Sequence, residues 1–286
     1  MYTCIICSPI RTVGRYILRV YYNMLKIQKL FRNSKIIFYY DISEDNTLDI
    51  VKILQEQDNN IILLENNEPM LPYRTYRIAN ARNCLLDYVY KYYSDFDFFI
   101  MMDGDKINSD EINIDVLKFS LDNKNKWDGL SFNRKYYYDI WALLYEPYII
   151  NCFNYAHNYH ICDIMRVDIT NKLNNINEND FFECYSAFNG FGIYQLNKFK
   201  NIKYDGKKVQ LFSEFKINEC LNNIMTTYKH ITPETLFESS EQCELMYEIC
   251  EHQTFHVSAI RENGARIYIS PKILFNGYEY DYEYEI

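Results

Sequence analysis

The sequence lacks several features, and each absence narrows the possibilities. No uncharged apolar stretch is long enough to cross a membrane, so no spanning helix is expected. Basic residues do not predominate. Lysine and arginine number 30 against 39 acidic residues, a net charge of −9. The only basic clusters are short ones such as Lys207-Lys208, which argues against nucleic acid as a partner. Glycines number 8 and prolines 6 in 286 residues, while 48% of the chain is apolar and 24% charged. That balance is globular and excludes disorder and coiled coil. The opening MYTCIICSPIRTVGR has no basic stretch before its short apolar run, so a cytoplasmic chain without a secretory leader is expected. No internal repeat is visible.

Nine cysteines, an odd number at irregular spacing, read as free thiols in a reducing compartment. Cys4-x-x-Cys7 falls in an apolar run that reads as a strand, which turns the two side chains to opposite faces and argues against a redox pair. The 29 tyrosines accompany heavy use of Ile, Asn and Lys, residues with A/T-rich codons, and so say little about function.

The first hundred residues alternate between apolar strands and amphipathic helices. Strands are expected at Tyr2–Cys7, Lys35–Tyr40, Ile61–Leu64 and Phe96–Met102. Helices are expected at Thr12–Phe31, Asn46–Gln57 and Thr75–Tyr92. Apolar strands alternating with helices predict an α/β fold with a mostly parallel sheet covered on both faces. The second half is less regular. Helices are expected at Glu111–Leu121 and Cys250–Glu262, the latter closed by Gly264, and one beginning in Pro147–Phe153. Strands are expected at Gly129–Phe132, Tyr138–Leu143 and Arg266–Ser270. Ser186–Tyr194 reads as an extended segment broken by glycines, and Arg166–Asp180 as a polar loop.

Ligands of such sheets bind beyond the carboxyl ends of the strands. The fourth strand runs directly into Asp103-Gly104-Asp105. Two carboxylates at this spacing can hold one hard divalent ion and leave its other positions to phosphate oxygens. Gly104 permits close backbone approach. An Asp-Gly-Asp surface turn is the plain alternative. His157 and His160, near Asp163, lack further metal spacing and read as a solvated loop.

Five stretches in order carry a resemblance: RTYRIANARNCLL, FDFFIMMDGD, WDGLSFNRKYYYDIWAL, SAFNGFGIY and CEHQTFH with the following RENGARIYISP. They resemble the GT-A glycosyltransferases, particularly small viral and microbial ones related to fungal capsular mannosyltransferases. The resemblance implies one nucleotide-diphospho-sugar transferase domain over residues 1–275. Residues 1–105 would bind the nucleotide sugar, residues 106–275 would face the acceptor, and 276–286 would form an acidic, tyrosine-rich tail. The implied reaction moves a hexose from a UDP- or GDP-sugar to a hydroxyl of a glycan or glycoconjugate. Asp103 and Asp105 would hold Mn²⁺ or Mg²⁺. Pro9, Arg11, Arg77, Arg82, Asp103, Gly104, Asn189 and Gly190 would contact the donor. Glu251 matches the acidic position that opens a helix and supplies a general base, and His252 stands where a second acid is usual. Glu251 would then be the base or would position His252. His252 or His256, four residues apart on one helix face, would complete the metal shell. Asp139 and Trp141 would face the acceptor. Two related chemistries fit less well. SPIRTVGR is not the glycine-rich loop of a pyrophosphorylase, and a dehalogenase-type phosphatase places its D-x-D on an early strand. A catalytically silent donor-binding protein is the remaining alternative.

Overall fold

The computed structural model describes residues 1–149, 159–229, 231–232 and 247–276, with the side chains of 159 and 160 excepted. Eight strands form one sheet: β1 (Thr3–Ile10), β2 (Asn33–Tyr40), β3 (Ile61–Glu65), β4 (Phe98–Met102), β5 (Gly129–Asn133), β6 (Phe182–Cys184), β7 (Phe191–Gln195) and β8 (Ile267–Ile273). Among the described residues seven helices flank it: α1 (Ile17–Gln28), α2 (Thr47–Gln57), α3 (Arg74–Tyr92), α4 (Ile114–Asp122), α5 (Tyr159–Asn175), α6 (Glu214–Thr227) and α7 (Glu251–Asn263).

The strand order is β3-β2-β1-β4-β7-β5-β8-β6. β1 pairs in parallel with β2 and β4, β2 with β3, and β5 with β8; β7 runs antiparallel to β4 and β5, and β6 antiparallel to β8. The sheet is therefore mixed. It runs continuously through both halves of the chain.

Both faces are covered. Cys4 and Ile6 of β1 pack with Val20, Met24 and Val51 of α1 and α2, while Ile5 and Cys7 pack with Leu85, Val89 and Phe255 of α3 and α7. The two cysteines thus point to opposite faces, as strand geometry requires. Burial drives both thiol pKa values up, which leaves inert, protonated side chains. After β3 the chain returns to the far side of β1, so β1 and β4 border a switch point, where such sheets bind ligands.

Three parts of the second half differ from expectation. The polar segment 166–180 is largely helix: Ile161, Met165, Ile169 and Leu173 recur every fourth residue and are buried. A narrow apolar stripe in a polar helix is enough to dock it. Tyr138–Leu143 is not a strand but an irregular segment held by Asp139, whose Oδ1 accepts the Ala142 amide at 3.1 Å. No helix starts at Pro147–Ile149; Tyr145 and Tyr148 form a β-bridge there, and 150–153 lie outside the described residues. So does residue 157, with the tail beyond 276. Gly264 closes α7 in the left-handed conformation (φ 61°), the geometry for which a helix-ending glycine is suited. Among the described residues, no helix is long and apolar enough to cross a membrane.

Candidate functional site

A cavity of about 400 Å³ opens at the carboxyl ends of β1, β2 and β4. Its walls are Pro9–Val13, Tyr39 and Asp41, one face of α3, and Asp103-Gly104-Asp105. The α3 residues are Arg74, Arg77, Ile78, Ala81 and Arg82, and their three- and four-residue spacing places them on one side of the helix. The helix start is anchored by buried Glu248, whose Oε2 accepts from Thr75 N and Thr75 Oγ1, both at 2.8 Å. A carboxylate there also complements the helix dipole.

Arg82 is the inner charge of the site, 4% exposed. Its Nη2 donates to Asp103 Oδ1 at 3.2 Å, and its Nε lies 3.0 Å from Glu251 Oε1 without hydrogen-bond alignment. The guanidinium stacks over Phe188, 4.6 Å from the ring centroid. Burial works against its charge, but Asp103 and Glu251 more than offset this and hold its pKa above the ordinary value. Burial in turn raises the pKa values of Asp103 and Glu251, against the pull of Arg82.

Asp105 stands at the mouth of the cavity, exposed to solvent, with Oδ1 accepting from Ile107 N at 3.1 Å. Crowding by protein atoms and the neighbouring Asp103 charge push its pKa to about 6. Gly104 has a steric reason beyond ligand approach. A Cβ there would lie 2.6 Å from Ile10 Cγ2 on β1, so only glycine lets the loop pack on that strand.

Asn189 and Gly190 do not line this cavity. They form a left-handed turn (φ 54° and 84°) behind it, and Gly190 O accepts the Asp103 amide at 3.0 Å. A Cβ at Gly190 would meet Ile107 Cγ2 at 2.4 Å, which explains the glycine. Asn189 N donates to Asp139 Oδ2 at 3.2 Å, and its Nδ2 donates to Phe132 O at 3.1 Å. Asp139 is half-buried, and among the described residues its carboxylate accepts from the Ala142 and Asn189 backbone amides. Burial, with Asp103 and Glu251 nearby, lifts its pKa to about 6.

The two histidines of α7 are core residues. Both ring nitrogens of His256 are engaged, Nδ1 with Ser186 Oγ at 2.9 Å and Nε2 with Tyr194 OH at 3.0 Å. Burial lowers its pKa to about 3. His252 is 1% exposed and stacks on Phe188 at 3.7 Å; among the described residues neither ring nitrogen has a hydrogen-bond partner, and Nε2 lies 3.8 Å from Glu251 Oε1. Burial pulls its pKa well below the ordinary value. Among the described residues, no three or more His, Cys, Asp or Glu side chains are grouped to hold a metal, so neither histidine joins the aspartate pair in such a group.

Three residues of the site were not singled out by sequence. Arg74 adds a cation to the rim and lies over Trp141, 5.9 Å from its ring centroid. Arg134 and Asn108, both buried, tie the aspartate loop to the Asn189-Gly190 turn. Arg74 was visible as part of the same helical arginine face. Nothing in the sequence marked the other two.

No family model and no curated protein matches this chain. Several solved structures resemble it in outline. TarS of S. aureus is 16% identical, with a TM-score of 0.45, and the match covers 96% of this chain and 36% of that one. TarS 1–349 in complex with UDP-GlcNAc is 15% identical at a TM-score of 0.46, with 98% and 59% covered. The mannosyltransferase PcManGT from Pyrobaculum calidifontis, in complex with GDP-Man and Mn²⁺, is 11% identical at 0.44, with 71% and 47% covered. The chain thus spans between about a third and three-fifths of the length of these proteins.

Proposed function

We propose that the chain is a metal-dependent glycosyltransferase of the GT-A type, moving a hexose from a UDP- or GDP-sugar to a hydroxyl acceptor. The observation that carries this reading is one cavity with two kinds of wall. An aspartate pair ends β4 on one side, and the arginine face of α3 stands on the other. Acidic oxygens for a hard cation and guanidiniums for phosphate are what a metal-bound diphosphate requires.

The residues fit a divalent ion. Asp103 and Asp105 offer hard oxygen donors, and the charge of one disfavours ionisation of the other, a mutual cost that a cation removes. These two would hold the ion, without the histidines, because His256 is saturated by its core partners and His252 is stacked in the core. A bound Mn²⁺ or Mg²⁺ would act as a Lewis acid on the departing diphosphate. Arg11, Arg74 and Arg77 reach the cavity and would bind the phosphates, and Pro9 and Gly104 shape its floor. Arg82 fixes Asp103 and Glu251 in place.

For transfer with inversion, the acceptor hydroxyl must lose its proton as its oxygen bonds to the anomeric carbon and the carbon–oxygen bond to diphosphate breaks. We assign that proton to Asp139 in preference to Glu251. Asp139 is only half-buried, has no cationic partner among the described residues and titrates near 6, close to a base's working range, whereas Glu251 is buried against Arg82. If configuration is retained, no base is needed there.

The test is to incubate the protein with UDP-GlcNAc or GDP-mannose and Mn²⁺ and to measure released UDP or GDP. Release that needs the metal and disappears in Asp103→Asn supports the reading. Silence with every UDP- and GDP-sugar tried would rule it out.

A further inference from the structure

The two carboxylates at the end of β4 lie on an irregular loop, yet one buried cation controls its shape. Arg134 follows β5 and is 8% exposed. Its guanidinium makes three hydrogen bonds, Nε to Asn189 O at 2.9 Å, Nη1 to Ile107 O at 2.8 Å and Nη2 to Asn108 Oδ1 at 2.6 Å, and it stacks 4.8 Å over Phe275. All three acceptors are neutral. Among the described residues, no carboxylate lies within ion-pair distance of it, so a buried charge is retained without a direct counter-ion, a costly arrangement.

The bonds converge on the aspartates. Asn108, oriented by Arg134, donates through Nδ2 to Asp103 O at 2.9 Å and Gly190 O at 2.7 Å. Gly190 O also accepts from Asp103 N. Ile107, whose carbonyl Arg134 holds, donates its amide to Asp105 Oδ1. One planar fork therefore orients Asn108, which bonds the Asp103 carbonyl, and holds Ile107 from its carbonyl side, the residue whose amide bonds Asp105. A lysine has no such three-way geometry.

We propose that Arg134 is a positioning residue for the metal site, acting through Ile107 on Asp105 and through Asn108 on Asp103; this rests on the metal-dependent reading above. Residues that orient metal ligands change metal affinity by about 10–100-fold when replaced.

The test uses the full chain and Mn²⁺ as probe. Free Mn²⁺ is followed by electron paramagnetic resonance in the presence of UDP or GDP, for wild type, Arg134→Lys and Asn108→Ala. Nucleotide affinity without metal and Tm are measured in parallel. The expected result is Mn²⁺ binding weakened about tenfold or more in both variants, with metal-free nucleotide affinity unchanged. A folded Arg134→Lys protein that binds Mn²⁺ like wild type would overturn the proposal, as Arg134 would then serve the fold alone. If Arg134→Lys does not fold, Asn108→Ala decides by the same criterion. Wild-type protein that binds no Mn²⁺ with either nucleotide would instead remove the reading of the site, and this inference with it.

Discussion

Arg82 Nε lies 3.0 Å from Glu251 Oε1, and each residue is only 4% exposed. The pair joins α3 to α7 beneath the cavity, and the same guanidinium reaches Asp103. Removing one partner of a buried pair leaves the other charge uncompensated, at about 3–5 kcal/mol. Arg82→Met is expected to lower Tm by on the order of 10 °C. Thermal unfolding followed by circular dichroism reads this directly, and an unchanged Tm would show that the pair contributes nothing.

His256 tests whether α7 carries a metal ligand or a core residue. Its folded pKa of about 3 lies below the ordinary 6.5. The unfolded chain therefore takes up a proton that the folded chain refuses, and stability falls as pH drops below 6.5. At pH 5 this amounts to about 2 kcal/mol for this residue. His256→Gln should show a smaller difference between urea midpoints at pH 7.5 and 5.0 than wild type, with Mn²⁺ affinity unchanged. Loss of Mn²⁺ binding in that variant would return the histidine to the metal shell.

Asp105 should oppose stability when ionised in the ligand-free protein. Its pKa is raised to about 6, so the folded state favours the protonated acid, and that stabilisation is lost as pH rises through 6. Asp105→Asn should therefore gain in Tm relative to wild type as pH goes from 5 to 7.5. Mn²⁺ with UDP or GDP should reverse the order. A wild type that remains the more stable of the two at pH 7.5 without metal would contradict this.

Base duty separates Asp139 from Glu251. A general base contributes about 10²–10⁴-fold. Asp139→Asn should lose that much in transfer to the acceptor while keeping donor affinity, and the wild-type rate should fall on the acid side with a midpoint near 6. Glu251→Gln should lose less activity and more stability. The opposite ranking, with both variants folded, would restore Glu251 as the base.

The first half of the fold was legible because β1, β4 and most of β2 are buried on both faces and its helices keep a regular apolar stripe. β1 to β4 and α1 to α3 all lie where alternation placed them, within a few residues. The carboxyl ends of those strands placed the aspartates, and the family resemblance pointed to Arg77 and Arg82 on the helix before them, while Arg74 of the same helix face was not singled out. The second half was harder to read for physical reasons. α5 hides Ile161, Met165, Ile169 and Leu173, all buried, among Asn, Lys and Asp. The segment containing Asp139 is shaped by side-chain-to-backbone bonds, which leave no periodicity. His252 and His256 share a helix face as expected, but that face is turned into the aromatic core around Phe188 and Tyr194. Burial direction on an all-apolar-flanked helix is a tertiary property. Nothing in the sequence marks Arg134, and it is the fold that brings Ile107, Asn108 and Asn189 around it.

In the proposed function, Asp103 and Asp105 hold a divalent ion against a nucleoside diphosphate. The most direct measurement is the thermal stability of wild type and Asp105→Ala with UDP or GDP, each with and without Mn²⁺. A ligand at about 100 times its dissociation constant adds roughly 2.7 kcal/mol. A metal-dependent rise in Tm with one of the two nucleotides, absent in Asp105→Ala, is expected. Equal shifts in both proteins, or none in either, would contradict it.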